Sequence, residues 1–163
     1  VTLITSTIET PFGVMSLIGT KECLHVASFT GDVDGLRHRL QPSLRAEPLE
    51  RGDTSAAAAL RDYFAGNVGV LATVAVSQPG GPFHARVWAA MREVAAGTTV
   101  SYAELAARAG APRAVRAAGT ACARNAICLF VPCHRIVRSD GSLGGYYYGL
   151  DTKRRLLEHE RGH

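Results

Sequence analysis

The chain of 163 residues is 47% hydrophobic and 20% charged, enough apolar material for one compact domain or two small ones sharing a core, which excludes disorder as the default. No run approaches the roughly eighteen apolar residues of a membrane helix, and the N-terminus lacks a basic start and apolar core, so a soluble, cytoplasmic protein without a membrane partner is expected. The net charge of +4 is unevenly held: residues 1–100 carry 8 Lys and Arg against 9 Asp and Glu, residues 101–163 carry 10 against 5, which makes the second part the candidate polyanion-binding half.

Residues 2–9 and 14–19 are apolar or alternating and rich in β-branched side chains, and Thr10-Pro11-Phe12-Gly13 between them is turn chemistry, so two strands are predicted. A third strand follows at Cys23–Phe29. Asp32–Leu40 has helical spacing, Gln41–Gly52 looks like loop, and Asp53 or Thr54 can cap a helix that runs through Phe64. Val68–Val76 reads as another strand. The Gly- and Pro-rich stretch from Gln78 to Pro82 then marks a boundary, giving an α+β domain over 1–78 and a second domain over 79–163.

Beyond the boundary the period becomes helical. Phe83, Val87, Trp88 and Met91 share a face that ends near Gly97. Ser101-Tyr-Ala-Glu104 has capping-box spacing, with Glu104 expected to return to the Ser101 amide, so a helix should run to about Ala109. Gly110-Ala111 breaks it, and Pro112 suits the first turn of a second helix reaching about Ala123. The pair resembles a helix-turn-helix, a shape common enough to be weak evidence by itself. The second helix carries Arg113, Arg116 and Arg124 around almost bare small residues, Ala117 and Ala118 among them. Tight packing against a neighbour explains the alanines; it does not explain Arg116 set among them.

The cysteines, Cys23, Cys122, Cys128 and Cys133, contain no C-x-x-C pair, and free thiols are expected. Ile127–Val131 reads as a short buried strand that delivers Pro132-Cys133-His134-Arg135 at its end. Burial alone raises a thiol's pKa above about 8.5 and silences it. His134 and Arg135 offer the stabilisation that a nucleophile needs. Adjacent side chains on a strand point apart, so contact between Cys133 and His134 requires a turn or a bridging water.

Val131-Pro-Cys133-His134-Arg135-Ile136-Val137 resembles the signature of the O6-alkylguanine-DNA alkyltransferases, also called methylated-DNA:protein-cysteine methyltransferases. Supporting matches are Val87-Trp88, Ser101-Tyr102, Arg113-Ala-Val-Arg116-Ala, Asn125, Gly145-Tyr146, Lys153 and Leu156-Leu-Glu-His-Glu160. The resemblance covers nearly the whole chain and is strongest from Phe83 to Glu160. It implies an α+β fold: an N-terminal antiparallel sheet with helices, ribonuclease H-like, packed on a helical C-terminal domain with a helix-turn-helix.

What the resemblance implies about function is specific. A monomer would bind the minor groove of double-stranded DNA, flip out an O6-alkylguanine, and transfer its alkyl group once and irreversibly to Cys133, with O4-alkylthymine as a further substrate. Glu160 matches the carboxylate that orients His134, which draws the Cys133 proton through a water; Tyr102 matches the donor to guanine N3. Arg116 matches the finger that fills the vacated stack. Arg113, Ala117, Arg124, Asn125 and Arg135 are placed at the DNA, Asn125 also matching a hinge residue. Ile136, Tyr146, Tyr147, Tyr148 and Cys122 are placed at the base, with the Cys133 and Ile136 carbonyls accepting from the exocyclic amine and the Tyr147 amide donating to O6. No cofactor is needed for displacement at an alkyl carbon, and in a bacterium the protein would associate with the nucleoid.

The chain also departs from the family pattern. Some members hold a structural zinc near the N-terminus, but Cys23, His25 and His84 lack the matching spacing, so no metal is expected. Three consecutive tyrosines and Cys128, where some members have proline, suggest a pocket that disfavours bulky adducts. Three other readings stay open: an unreactive lesion binder, against which Cys133 argues; a regulatory module switched by alkylation; and a cysteine hydrolase, which would need an oxyanion hole.

Overall fold

The computed structural model describes residues 2–163, and these form two compact units. The first comprises the chain up to Pro79 together with Ala126–Phe130. Strands β1 (Leu3–Thr10), β2 (Gly13–Gly19) and β3 (Leu24–Ser28) form an antiparallel meander, with Gly13 at φ 115° closing the β1–β2 turn. That angle is open to glycine and strained for other residues. β4 (Leu49–Arg51) adds to β1 in parallel, giving the order β3-β2-β1-β4. The sheet is therefore mixed, not purely antiparallel: residues between β3 and β4 cross over the sheet and return in the direction of β1. They do so through 3-10 turns at Asp34–Arg39 and Pro42–Leu44. Val33 and Leu36 recur at the three-residue period of a 3-10 helix, and Leu36 and Leu40 pack on Leu3, Ile18 and Val26 to make the core.

Helix α1 (Ser55–Phe64) starts where the sequence indicates, its Thr54 side chain accepting from the Ala57 amide at 3.2 Å. The strand expected over Val68–Val76 is absent: Val70–Thr73 forms a 3-10 turn, and only Val76 bridges to Leu24. A run of β-branched residues marks burial as readily as it marks a strand, and here Leu71 and Val74 are buried without a ladder.

The second unit comprises Gly80–Asn125 and Val131–His163. Helix α2 (Pro82–Arg92) buries Val87, Trp88, Ala90 and Met91. The Trp88 indole donates to the Ala121 carbonyl at 2.9 Å and Arg86 Nε to the Ala109 carbonyl at 3.0 Å, so α2 is tied to both helices that follow. After β5 (Val100–Ser101), helix α3 (Tyr102–Arg108) ends in a left-handed Gly110, φ 85°, with the Ala111 amide bonded to the Ala106 carbonyl, a Schellman stop. Half the capping box forms. Ser101 Oγ accepts from the Glu104 amide at 3.0 Å, but the Glu104 carboxylate turns to Arg108 at 3.3 Å instead of returning to the Ser101 amide.

Helix α4 (Val115–Ala123) begins three residues later than Pro112 suggests. The Ala114 amide donates to the Ala111 carbonyl at 2.9 Å, which puts Pro112 at the second position of a β-turn, another place where a fixed φ is favoured. Strand β6 (Ile136–Val137) pairs in parallel with β5, and α5 (Leu150–Arg161) closes the unit. Residues 127–131 do not form the expected strand. The Phe130 amide bonds to the Cys128 carbonyl around Leu129, whose φ is 71°, and the Cys133 amide to the Val131 carbonyl around Pro132, at φ −84° and ψ 69°. These are two three-residue turns, the second an inverse γ-turn. Leu129 holds a conformation that costs a non-glycine residue about 1–3 kcal/mol.

Candidate functional site

The turn that replaces the strand settles how Cys133 and His134 are presented. Cys133–Arg135 is a single 3-10 turn, where consecutive side chains diverge by about a third of a circle rather than half, as on a strand. Cys133 is partly exposed and His134 fully buried. His134 Nε2 lies 2.7 Å from Glu160 Oε2, and His134 Nδ1 is buried with no hydrogen-bond partner among the described residues. A carboxylate can only accept, so the ring proton sits on Nε2 and Nδ1 is left as a lone-pair base. Burial pushes the imidazole below its usual value; Glu160 opposes this while Arg135 and Lys153 reinforce it.

Glu160 reaches the ring from α5, where Lys153, Leu156, Leu157 and Glu160 are the buried residues. Their spacing of three, four and seven places them on one helix face. Burial pushes the Glu160 carboxyl up, but His134 and Arg135 outweigh it and hold the group well below the usual carboxylate range. Arg135 does not sit where DNA contact requires. Its side chain is buried, Nε donating to Glu160 Oε1 and Nη2 to Oε2, both at 2.9 Å, and Nη1 to the Val94 carbonyl at 2.8 Å. With these donors consumed inside the unit, its assignment to the DNA surface is corrected.

Asn125 is likewise turned inward, its Nδ2 donating to the Val131 carbonyl at 2.7 Å. That bond ties Asn125 to Val131 across residues 126–130. It corrects the placement of Asn125 as a DNA contact. Arg116 and Ala117 on α4 are exposed, as are Arg113 in the turn before it and Arg124 just after it, whereas Ala118 and Ala121 are buried. The exposed face is smooth and flanked by guanidinium groups.

Tyr102, at the start of α3, is half-buried. Burial, then the Cys122 and Cys133 thiols, push its hydroxyl up to about 12, with Arg138 acting the other way. A Cβ on Gly144, at φ 72°, would come within 3.3 Å of the Tyr102 hydroxyl oxygen, so the loop after β6 approaches the ring as only glycine permits. Cys122 directs its Sγ to Met91 Sδ at 3.7 Å, and burial, then Cys133, pushes its thiol up to about 12. It stays protonated beside Cys133.

Lys153, a matching position of the resemblance to which the sequence assigns no role, is held deep in the unit. It is fully buried, with Nζ donating to the carbonyls of Ile136 at 2.6 Å, Gly145 at 3.3 Å and Leu143, and it lies 6.0 Å from the Tyr102 ring centroid. Its signal was a cation in register with the apolar face of α5. Ile136 is fully buried, and its carbonyl accepts from Lys153 through one of its two lone pairs. Among the tyrosines, Tyr146 and Tyr147 each stack edgewise on Tyr148, at 5.5 and 5.0 Å between centroids. Tyr147 is 77% exposed, so its ring does not line a pocket as expected; only its backbone can serve a base there.

A family profile described as 6-O-methylguanine DNA methyltransferase, DNA binding domain, matches residues 82–162. A methylated-DNA–protein-cysteine methyltransferase of Methanosarcina barkeri is 36% identical over 94% of this chain and 94% of its own length. The chain belongs to this family. A family member from Salmonella typhimurium is 45% identical across 62% of the chain, a match that spans 59% of that relative's length. Among solved structures, Mycobacterium tuberculosis OGT in complex with DNA superposes with a TM-score of 0.80 at 34% identity, covering 98% of this chain and 93% of that one. The mixed α+β fold is the family's, and among the described residues no helix is long and apolar enough to cross a membrane.

Proposed function

We propose that this protein repairs DNA by direct reversal, transferring the alkyl group of O6-alkylguanine, and of O4-alkylthymine, irreversibly to Cys133. The observation that carries the reading is His134: buried, with its proton fixed on Nε2 by Glu160 and a free lone pair on Nδ1, one residue from a partly exposed cysteine. Nδ1 takes the Cys133 proton through a water, and the thiolate sulfur attacks the alkyl carbon. The C–S bond forms as the O6–C bond breaks, and the electron pair passes into the purine. Tyr102 returns a proton to N3, so that neutral guanine leaves. The thioether product has no ionisable proton, which limits each molecule to one transfer.

The exposed face of α4 supplies the contact for double-stranded DNA, its small residues admitting the minor-groove floor and Arg113 and Arg124 meeting phosphates. Arg116 enters the stack when the base is flipped. The Cys133 and Ile136 carbonyls and the Tyr147 amide read the guanine edge, Tyr146 and Tyr148 wall the base, and the protein acts as a monomer at the nucleoid. Incubation with duplex DNA containing O6-methylguanine, followed by peptide mass mapping, tests the reading: one methyl on the Cys133 peptide is expected, and an unmodified Cys133 refutes it.

A further inference from the structure

Arg135 binds both oxygens of Glu160 in a two-point fork and anchors to the Val94 carbonyl, while Glu160 Oε2 also accepts from His134. We propose that Arg135 is a positioning residue for the transfer reaction, holding the Glu160 carboxylate charged and in the single orientation that leaves His134 protonated on Nε2 and basic at Nδ1. The inference rests on the reading of Cys133 as the alkyl acceptor.

Glu160 meets His134 and Arg135, and His134 meets Glu160, Arg135 and Lys153. A carboxylate that faced His134 alone could swing out of the ring plane or share a proton with the ring. The guanidinium is always charged and planar, so it fixes the carboxylate plane by two parallel bonds and disfavours a second positive charge on His134. A lysine would supply the charge without the fork. Loss of Arg135 therefore raises the pH at which the Glu160–His134 pair takes up a proton, and a protonated His134 cannot accept one from Cys133.

The test compares wild type, Arg135→Gln and Arg135→Lys. Single-turnover methyl transfer from duplex DNA is followed by intact-protein mass from pH 5 to 9, with duplex affinity measured by fluorescence anisotropy. In Arg135→Gln the acid limb of the rate moves up by about one pH unit, the shift expected for loss of a contacting opposite charge. The rate on that limb is then about tenfold lower, with duplex affinity unchanged, and Arg135→Lys restores the limb towards wild type. A uniform rate loss with an unshifted limb overturns the proposal, as does a loss of duplex affinity with a salt slope reduced by about one, the mark of a phosphate contact. Should Arg135→Gln not fold, 15N NMR of His134 decides in wild type and Arg135→Lys. A wild-type proton on Nδ1, or a His134 in Arg135→Lys that titrates below the wild-type one, overturns it. A wild type that forms no methyl adduct refutes the alkyl-transfer reading instead, and the His134 titrations still judge Arg135.

Discussion

His134 Nε2 and Glu160 Oε2 meet at 2.7 Å with both side chains wholly shielded from solvent. Residues 26 apart in sequence thus share one buried proton, and stability should depend on pH accordingly. Both groups have folded values below their unfolded ones, so the unfolded chain binds more protons on the acid side. Stability should hold above neutrality, fall as pH drops through the unfolded histidine value of about 6.5, and fall again below the unfolded glutamate value of about 4.3. Urea midpoints measured from pH 4 to 8 check this. In His134→Asn the decline near neutrality should vanish; its persistence would assign it to another group.

Cys133→Ser should abolish methyl transfer and leave duplex affinity within about twofold, since in the proposed mechanism the thiol does the chemistry and the exposed arginines in and beside α4 make the groove contacts. Mass mapping and anisotropy on the same preparation suffice. Wild-type-like transfer by the serine variant would sink the mechanism.

Arg116→Ala removes the guanidinium set among the small residues of α4. Unstacking a base costs a few kcal/mol that an inserted side chain helps to offset. Transfer from duplex DNA should therefore slow markedly while reaction with free O6-methylguanine base is preserved. Equal losses on the two substrates would show that Arg116 is not the finger.

Tyr148 receives the rings of both Tyr146 and Tyr147, and its bulk should penalise a benzyl adduct more than a methyl one. In Tyr148→Gly the ratio of benzyl to methyl transfer should rise roughly tenfold to a hundredfold, the effect of relieving a clash of about 1–3 kcal/mol. An unchanged ratio means that the ring stands clear of the pocket.

Lys153→Met replaces a buried ammonium that holds the carbonyls of Ile136, Leu143 and Gly145. Those acceptors lose a charged donor, at a cost of about 1–3 kcal/mol each where nothing replaces it. The loop ahead of α5 should gain amide exchange while α2 stays protected, and transfer should slow. Unaltered exchange across residues 136–146 would show that the loop is held by other contacts.

The sequence by itself determined the elements whose signals are local: three strands by alternation and the Gly13 turn, α1 by its Thr54 cap, α3 by Ser101 and Gly110. It also marked Cys133 and His134 as the candidate nucleophile and base, whereas the 3-10 turn over Cys133–Arg135 decided how the two are presented. Tertiary structure decided what depends on partners distant in sequence. β4 is a strand only because β1 offers it a parallel edge, and Val68–Val76 is not a ladder because its apolar residues find burial without one. Pro112 could start a helix or a turn, and the Ala111–Ala114 hydrogen bond chose the turn. Arg135 and Asn125 read as surface groups in the sequence, since nothing local distinguishes a cation bound for phosphate from one bound for a buried carboxylate. Glu160 and Val94 lie 25 and 41 residues from Arg135, and only folding brings them within reach. A buried charge must be paired, and that requirement, invisible along the chain, turned a candidate DNA contact into part of the framework around His134.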